Sequence, residues 1–172
     1  MRVFFGLGLQ PEEKLAVDNW RQHHVYADGR AVPAANFHIT LAFVGEIADR
    51  QLEPLLAGAD EVLARQEPWE TRLHLDRVGY WPKPGIFWIG PGDWTRGVSA
   101  LAISLGTLAQ QFGARKDKAS FQPHVTLYRR CTEPPPAPSQ PPALWIDPPH
   151  VTLFESRQGR DGVSYQALAE WD

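Results

Sequence analysis

Val3, Phe5, Leu7 and Leu9 alternate with Phe4, Gly6 and Gly8, a period of two that predicts a buried strand. Pro11 follows where a helix can start without needing the missing N–H, and a helix is expected from Pro11 to about Tyr26. Its inner face is read as Leu15, Ala16, Trp20 and Val25, and Asp28-Gly29 ends it. Phe37 to Val44 reads as a second strand. Leu52, Leu55, Leu56, Ala59, Val62 and Leu63 then recur at helical spacing behind Asp49 as N-cap, with Pro54 in the first turn. Leu73 and Leu75 predict a third strand, joined through a turn at Gly79–Gly85 to the strand Ile86–Ile89 as a hairpin. The clearest helical stripe is Val98, Leu101, Ala102, Leu105, Leu108, Ala109 and Phe112, within Asp93 to Phe112 and stopped by Gly113. A charged loop, Ala114 to Ser120, precedes the strand His124–Arg129. Two strands, His150–Ser156 and Val163–Trp171, close the chain around a turn at Gln158–Gly162.

Eight of the 16 prolines lie between Pro134 and Pro149, so residues 132–149 are expected to be an extended surface connection. Helices interspersed with strands and hairpins indicate an α+β or α/β protein, and strands at both ends suggest that the two halves pair. At 172 residues the chain suits one domain, residues 1–172. Its 43% hydrophobic content excludes a mostly disordered protein. A net charge of −3 argues against coating long duplex DNA, though not against holding a short nucleic-acid end. Cys131, the single cysteine, lacks both a disulfide partner and zinc-site neighbours, which points to a reducing, cytoplasmic setting. The apolar start, Val3 to Leu9, is too short for a membrane span, which needs about 20 apolar residues.

The string His-x-Thr-Leu occurs three times, at His38–Leu41, His124–Leu127 and His150–Leu153. With six histidines and seven threonines, chance gives about 0.24 His-x-Thr matches. On a strand, each His and its Thr look to one face while Ile39 with Leu41, or Val125 with Leu127, look to the other. Two such pairs facing each other suit reaction at a phosphodiester. A neutral imidazole takes a proton from attacking water, a cationic one protonates the leaving alkoxide, and hydroxyls hold the non-bridging oxygens. Imidazole, with an unperturbed pKa of about 6.5, supplies both forms near neutrality. This chemistry requires neither metal nor cofactor.

These residues and their flanks resemble a known family, the 2H phosphoesterases, and within it the bacterial and archaeal RNA 2′,3′-cyclic phosphodiesterases once named 2′-5′ RNA ligases. The resemblance spans nearly the whole chain. It is carried by Met1-Arg2-Val3-Phe4-Phe5, by Asn36 through Gly45, and by Val78-Gly79-Tyr80-Trp81 with Phe87-Trp88-Ile89-Gly90. Phe121 through Arg129, and Leu153 through Ser156 with Tyr165 and Trp171, complete it. It implies an α+β, two-lobed fold with antiparallel sheets lining a central cleft, helices outside, and one His-x-Thr per lobe. The implied activity is hydrolysis of an RNA 2′,3′-cyclic phosphate end to a 2′-phosphate by a monomer, with no protein or membrane partner. By position His38 and His124 are the motif histidines, with Thr40 and Thr126 as their hydroxyl partners; His38 is read as the proton donor and His124 as the acceptor, roles that could be exchanged. Arg129 matches a family arginine that would sit by the phosphate, with Phe43 and Tyr128 as further substrate contacts. Gly85 departs from the pattern, since relatives often carry a basic residue before the Phe87-Trp88 strand.

Other assignments compete with these. Phe43, Trp81, Phe121 and Tyr128 serve as core or as base-stacking platforms. His150 is read as structural or as an edge of the cleft, His23 and His24 as solvated, and His74 as a cleft-lining candidate. Arg115, Lys116 and Lys118 form either a solvated loop or a lure for an anionic end. A 2′-5′ ligase, a phosphodiesterase for a small cyclic nucleotide and a non-catalytic RNA-end binder are the alternative functions. A metallohydrolase fits poorly, because no Asp or Glu stands at ligand spacing to His38 or His124.

Overall fold

A computed structural model describes residues 1–66 and 68–172. Strand β1 (Arg2–Gly8) lies between β3 (His38–Glu46) and β9 (Val151–Gly159), and β10 (Gly162–Trp171) flanks β9. On the other side β7 (Val125–Arg129) leads to β6 (Ile86–Gly90) and β5 (Arg77–Trp81), and the two-residue β2 (Arg30–Ala31) also pairs with β7. All these pairings are antiparallel. The two groups of strands join at one rung, Ile39 against Val125, which makes them a single eight-stranded sheet. The order strand, helix, motif strand occurs twice along the chain, as β1–α1–β3 and β6–α3–β7.

One face of the sheet packs on helices. Val3, Phe5, Leu7, Ile39, Val125 and Leu127 are fully buried there. Helix α3 (Arg96–Gln111) lays its Val98, Leu101, Leu105 and Leu108 stripe behind β3 and against α2 (Leu52–Ala64). Gly58 in α2 allows that approach, since a Cβ there would stand 2.7 Å from a Leu108 methyl. Among the described residues no helix is long and apolar enough to cross a membrane.

Helix α1 (Pro11–His24) departs from its expected face. Leu15 is 68% exposed, and the buried residues are Val17, Trp20 and Arg21. A buried arginine is tolerable only with its donors satisfied. The Arg21 guanidinium donates to the carbonyls of Val32 and Leu127 and to Asp18, at 2.6–2.9 Å, and lies over the rings of Phe37 and Tyr128. It fastens α1 to the back of β7.

Two further differences concern strands. Leu73–Leu75 forms β4 but pairs with β8 (Leu144–Ile146) in a separate two-stranded sheet, and the hairpin partner of β6 is Arg77–Trp81, part of which reads in sequence as a turn. Gly79 and the proline-rich turn that follows hide that strand's period. Strand β8 lies inside the proline-rich segment 132–149, where Leu144-Trp145-Ile146 is free of proline. Residues 139 and 140 of the segment meet α1: Trp20 Nε1 donates to the Gln140 carbonyl, and Ser139 meets both the His24 carbonyl and ring. His24 is therefore a fastening point, not a merely solvated ring.

Replacing Arg21 by Met should lower unfolding free energy by about 2–4 kcal/mol, because Asp18 and two carbonyls lose charged donors. Urea denaturation would show this as a lower midpoint at unchanged m. The exposed pair Arg65–Glu61 offers the contrast, and Arg65→Met should shift stability by less than about 0.5 kcal/mol.

Candidate functional site

The Ile39–Val125 rung fixes the register of the two motif strands. In an antiparallel pair it sets His38 across from Thr126 and Thr40 across from His124, all on the sheet face away from the helices. The two histidines are then diagonal neighbours with backbones roughly 7–8 Å apart.

Each motif strand bulges directly after its threonine. Along β1, Phe5 pairs with Ala42 but Gly6 with Thr40, leaving Leu41 unmatched; along β6, Phe87 pairs with Tyr128 but Trp88 with Thr126, leaving Leu127 unmatched. An extra residue inverts the alternation beyond it. The residue five places after each histidine consequently returns to the cleft face: Phe43 in β3 and Arg129 in β7. Phe43 is 62% exposed with its ring 5.8 Å from Phe4. Arg129 acts on both imidazoles, disfavouring their cationic forms.

Both imidazoles are held alike. Nδ1 of His38 bonds the carbonyl of Asn36, and Nδ1 of His124 that of Gln122, each at 2.8 Å. A carbonyl only accepts, so each Nδ1 carries hydrogen and each neutral Nε2 keeps its lone pair. The Thr40 hydroxyl donates to Nε2 of His38 at 3.0 Å. Phe4, Phe154 and Tyr165 wall the His38 ring, with centroids at 4.9, 6.0 and 4.8 Å. Trp81 and Trp88 do so for His124, at 4.6 and 6.0 Å. Gly79 makes room for Trp88, since a Cβ there would overlap the indole at 2.1 Å. Desolvation by these walls, with Arg129, His124 and Lys14 adding positive charge, pushes His38 down to about 4. Desolvation and Arg129 also lower His124 below the ordinary histidine value.

The cleft face thus gathers His38, Thr40, Phe43, His124, Thr126 and Arg129. Tyr128 is a correction: the bulge turns it to the helix side with Phe87, its ring 5.5 Å from the Arg21 guanidinium. His74 also leaves the cleft, stacking on Trp145 in the two-stranded sheet at 4.4 Å. Arg115, Lys116 and Lys118 lie exposed in the loop before β7. Sequence reasoning missed Arg30, which pairs with Arg129 across β2 and β7 and shares its face, because a two-residue strand shows no period. It also missed Phe4, Phe154 and Tyr165 as walls; their shared face is visible only once β1, β9 and β10 are in register. Gly85 has a backbone reason for being glycine: its φ is +81°, and a Cβ would stand 2.4 Å from the Cys131 carbonyl oxygen. Among the described residues no three His, Cys, Asp or Glu side chains are grouped to hold a metal ion.

The chain is similar to known proteins. A family described as LigT like phosphoesterase matches residues 7–88. An RNA 2′,3′-cyclic phosphodiesterase of Escherichia coli K12 is 32% identical, over 99% of this chain and 95% of that protein. One of Thermus thermophilus is 29% identical over 84% of this chain and 75% of that protein. The crystal structure of E. coli LigT complexed with 3′-AMP superposes with a TM-score of 0.83 at 30% identity, covering 99% of this chain and 96% of that one.

Lowered values imply that both rings are neutral at pH 7 in the free protein. Proton NMR of the ring C2–H signals should show His38 titrating near 4 and His124 below 6.5, and both moving upward when inorganic phosphate binds. Midpoints at or above 6.5 without phosphate would contradict the desolvated site.

Proposed function

The chain belongs to the LigT-like phosphoesterases, and on that premise we propose that it hydrolyses 2′,3′-cyclic phosphate ends of RNA to 2′-phosphomonoesters without a metal ion. The observation that carries the reading is the pair of imidazoles, each anchored through Nδ1 to a carbonyl, on adjacent strands beside Arg129.

His124 Nε2 accepts a proton as water attacks phosphorus. The bond from phosphorus to O3′ breaks, and His38 Nε2 delivers the proton that O3′ takes up, leaving a free 3′-hydroxyl and a 2′-phosphate. Thr40, Thr126 and Arg129 take the developing charge on the non-bridging oxygens. Phosphate and Arg129 oppose each other at His38: the cation disfavours a charged ring, and the bound anion restores the proton that the acid step requires. Phe43, exposed and on the cleft face, is placed to stack on a base of the RNA. The substrate is an RNA or oligonucleotide end, and the protein acts as a cytoplasmic monomer.

Incubating an oligoribonucleotide bearing a 2′,3′-cyclic end with excess EDTA should yield a 2′-phosphate only. Replacement of His38 or His124 by Ala should each lower kcat by about 10²–10⁴; a 3′-phosphate product, or an undiminished single variant, refutes the reading. The two roles separate on a phosphodiester with a p-nitrophenolate leaving group, which departs without a proton. There His38→Ala should retain most of the wild-type rate and His124→Ala should not, and the reverse pattern exchanges acid and base.

A further inference from the structure

The third His-x-Thr string lies on the same sheet face but outside the reaction described above. Strand β9 runs beside β1 with no bulge, so Gly6 pairs with Thr152 and Leu7 with Val151. Thr152, Gly6 and Thr40 therefore share one row across three strands, Gly8 pairs with His38 in the next, and His150 immediately precedes β9. The glycines leave the middle of both rows without side chains. A trough two strands wide, roughly 9–10 Å, results between His38 and His150. Phe154 lies across it, with ring atoms 3.5 Å from where a Cβ of Gly6 or Gly8 would be.

Beside Phe154 the trough opens into a cavity of about 290 Å³, close to the lower end of small-molecule pockets. Leu9, Pro149 and Phe154 form its apolar walls, and Thr152, His150 and Glu170 its polar edge. Phe154 lines this cavity and also walls the His38 ring, with centroids 6.0 Å apart, so the cavity adjoins His38. His150 Nδ1 meets an Asp172 carboxylate oxygen at 2.5 Å, and its Nε2 lies 3.9 Å from Glu170. Asp172 orients the ring through Nδ1, and the Glu170 carboxylate at the cavity's edge offers acceptors alone.

Apolar walls with a carboxylate at their edge, on the sheet face that bears His38, suit a nucleobase. We propose that this cavity takes the base of the RNA's terminal nucleotide and prefers guanine, with Glu170 receiving guanine N1–H and N2–H together. Adenine and cytosine present one amino group to such an edge. Uracil presents a single N–H between two carbonyls, which the carboxylate repels. The proposal rests on the reading of the cleft as a site for a cyclic RNA end, and it adds the base that the site selects.

Isothermal titration with 2′-GMP, 2′-AMP, 2′-CMP and 2′-UMP tests it on the intact protein. The 2′-GMP complex should be at least tenfold tighter than that of 2′-UMP, with the other two between, and Glu170→Gln should bring the 2′-GMP to 2′-UMP ratio within threefold of unity. Equal affinities in the wild type, a preference that survives Glu170→Gln, or no binding of any of the four overturns the proposal. Binding needs no turnover, so the two readings fail separately. Selective binding by a protein that opens no cyclic end would refute the hydrolase alone, and hydrolysis with no base selectivity would refute the pocket alone.

Discussion

A single antiparallel rung, Ile39 against Val125, sets the position of every reactive atom in the cleft. Both residues are fully buried, and their pairing is what joins the two groups of strands into one sheet. A slip of one residue would turn one motif's histidine and threonine into the helix-packed core, where neither could be satisfied, so hydrophobic burial behind the sheet enforces the polar register in front of it. Function and stability are coupled at this point.

The second constraint is a bulge. Leu41 and Leu127 each follow a threonine, each is buried, and each is left unmatched by the neighbouring strand. The inversion they cause brings Phe43 and Arg129 to the side of the histidines, against simple alternation. It also sends Tyr128 to Arg21, which holds α1 onto the carbonyl of Leu127, the bulged residue itself. The third motif has no bulge on its β1 side, and its histidine stands two strands from His38 with carboxylates for neighbours. Identical strings thus acquire different surroundings from their strand partners.

Much of this is legible in the chain. The stripe of α3 and the alternation of β1 locate the core, because burial of apolar groups follows the period of each element. The proximity of His38, Thr40, His124 and Thr126 on one face follows from a repeated motif on strands. What escapes depends on long-range partners. The inner face of α1 is misread from sequence because Arg21 is buried by carbonyls contributed from distant β-segments, which no local pattern reveals. Tyr128 is misplaced because alternation alone does not announce a bulge, and His74 because β4 pairs with a strand about 70 residues later in the proline-rich segment.

The central claim is that two imidazoles serve one displacement at phosphorus, one taking a proton and the other giving one. Single-turnover rates for the wild type, His38→Ala, His124→Ala and the double variant test it most directly, since groups that act as a unit are strongly non-additive. The account predicts that the double variant is slower than the worse single variant by no more than about tenfold. Losses that multiply, as for two independent contributions, would contradict it.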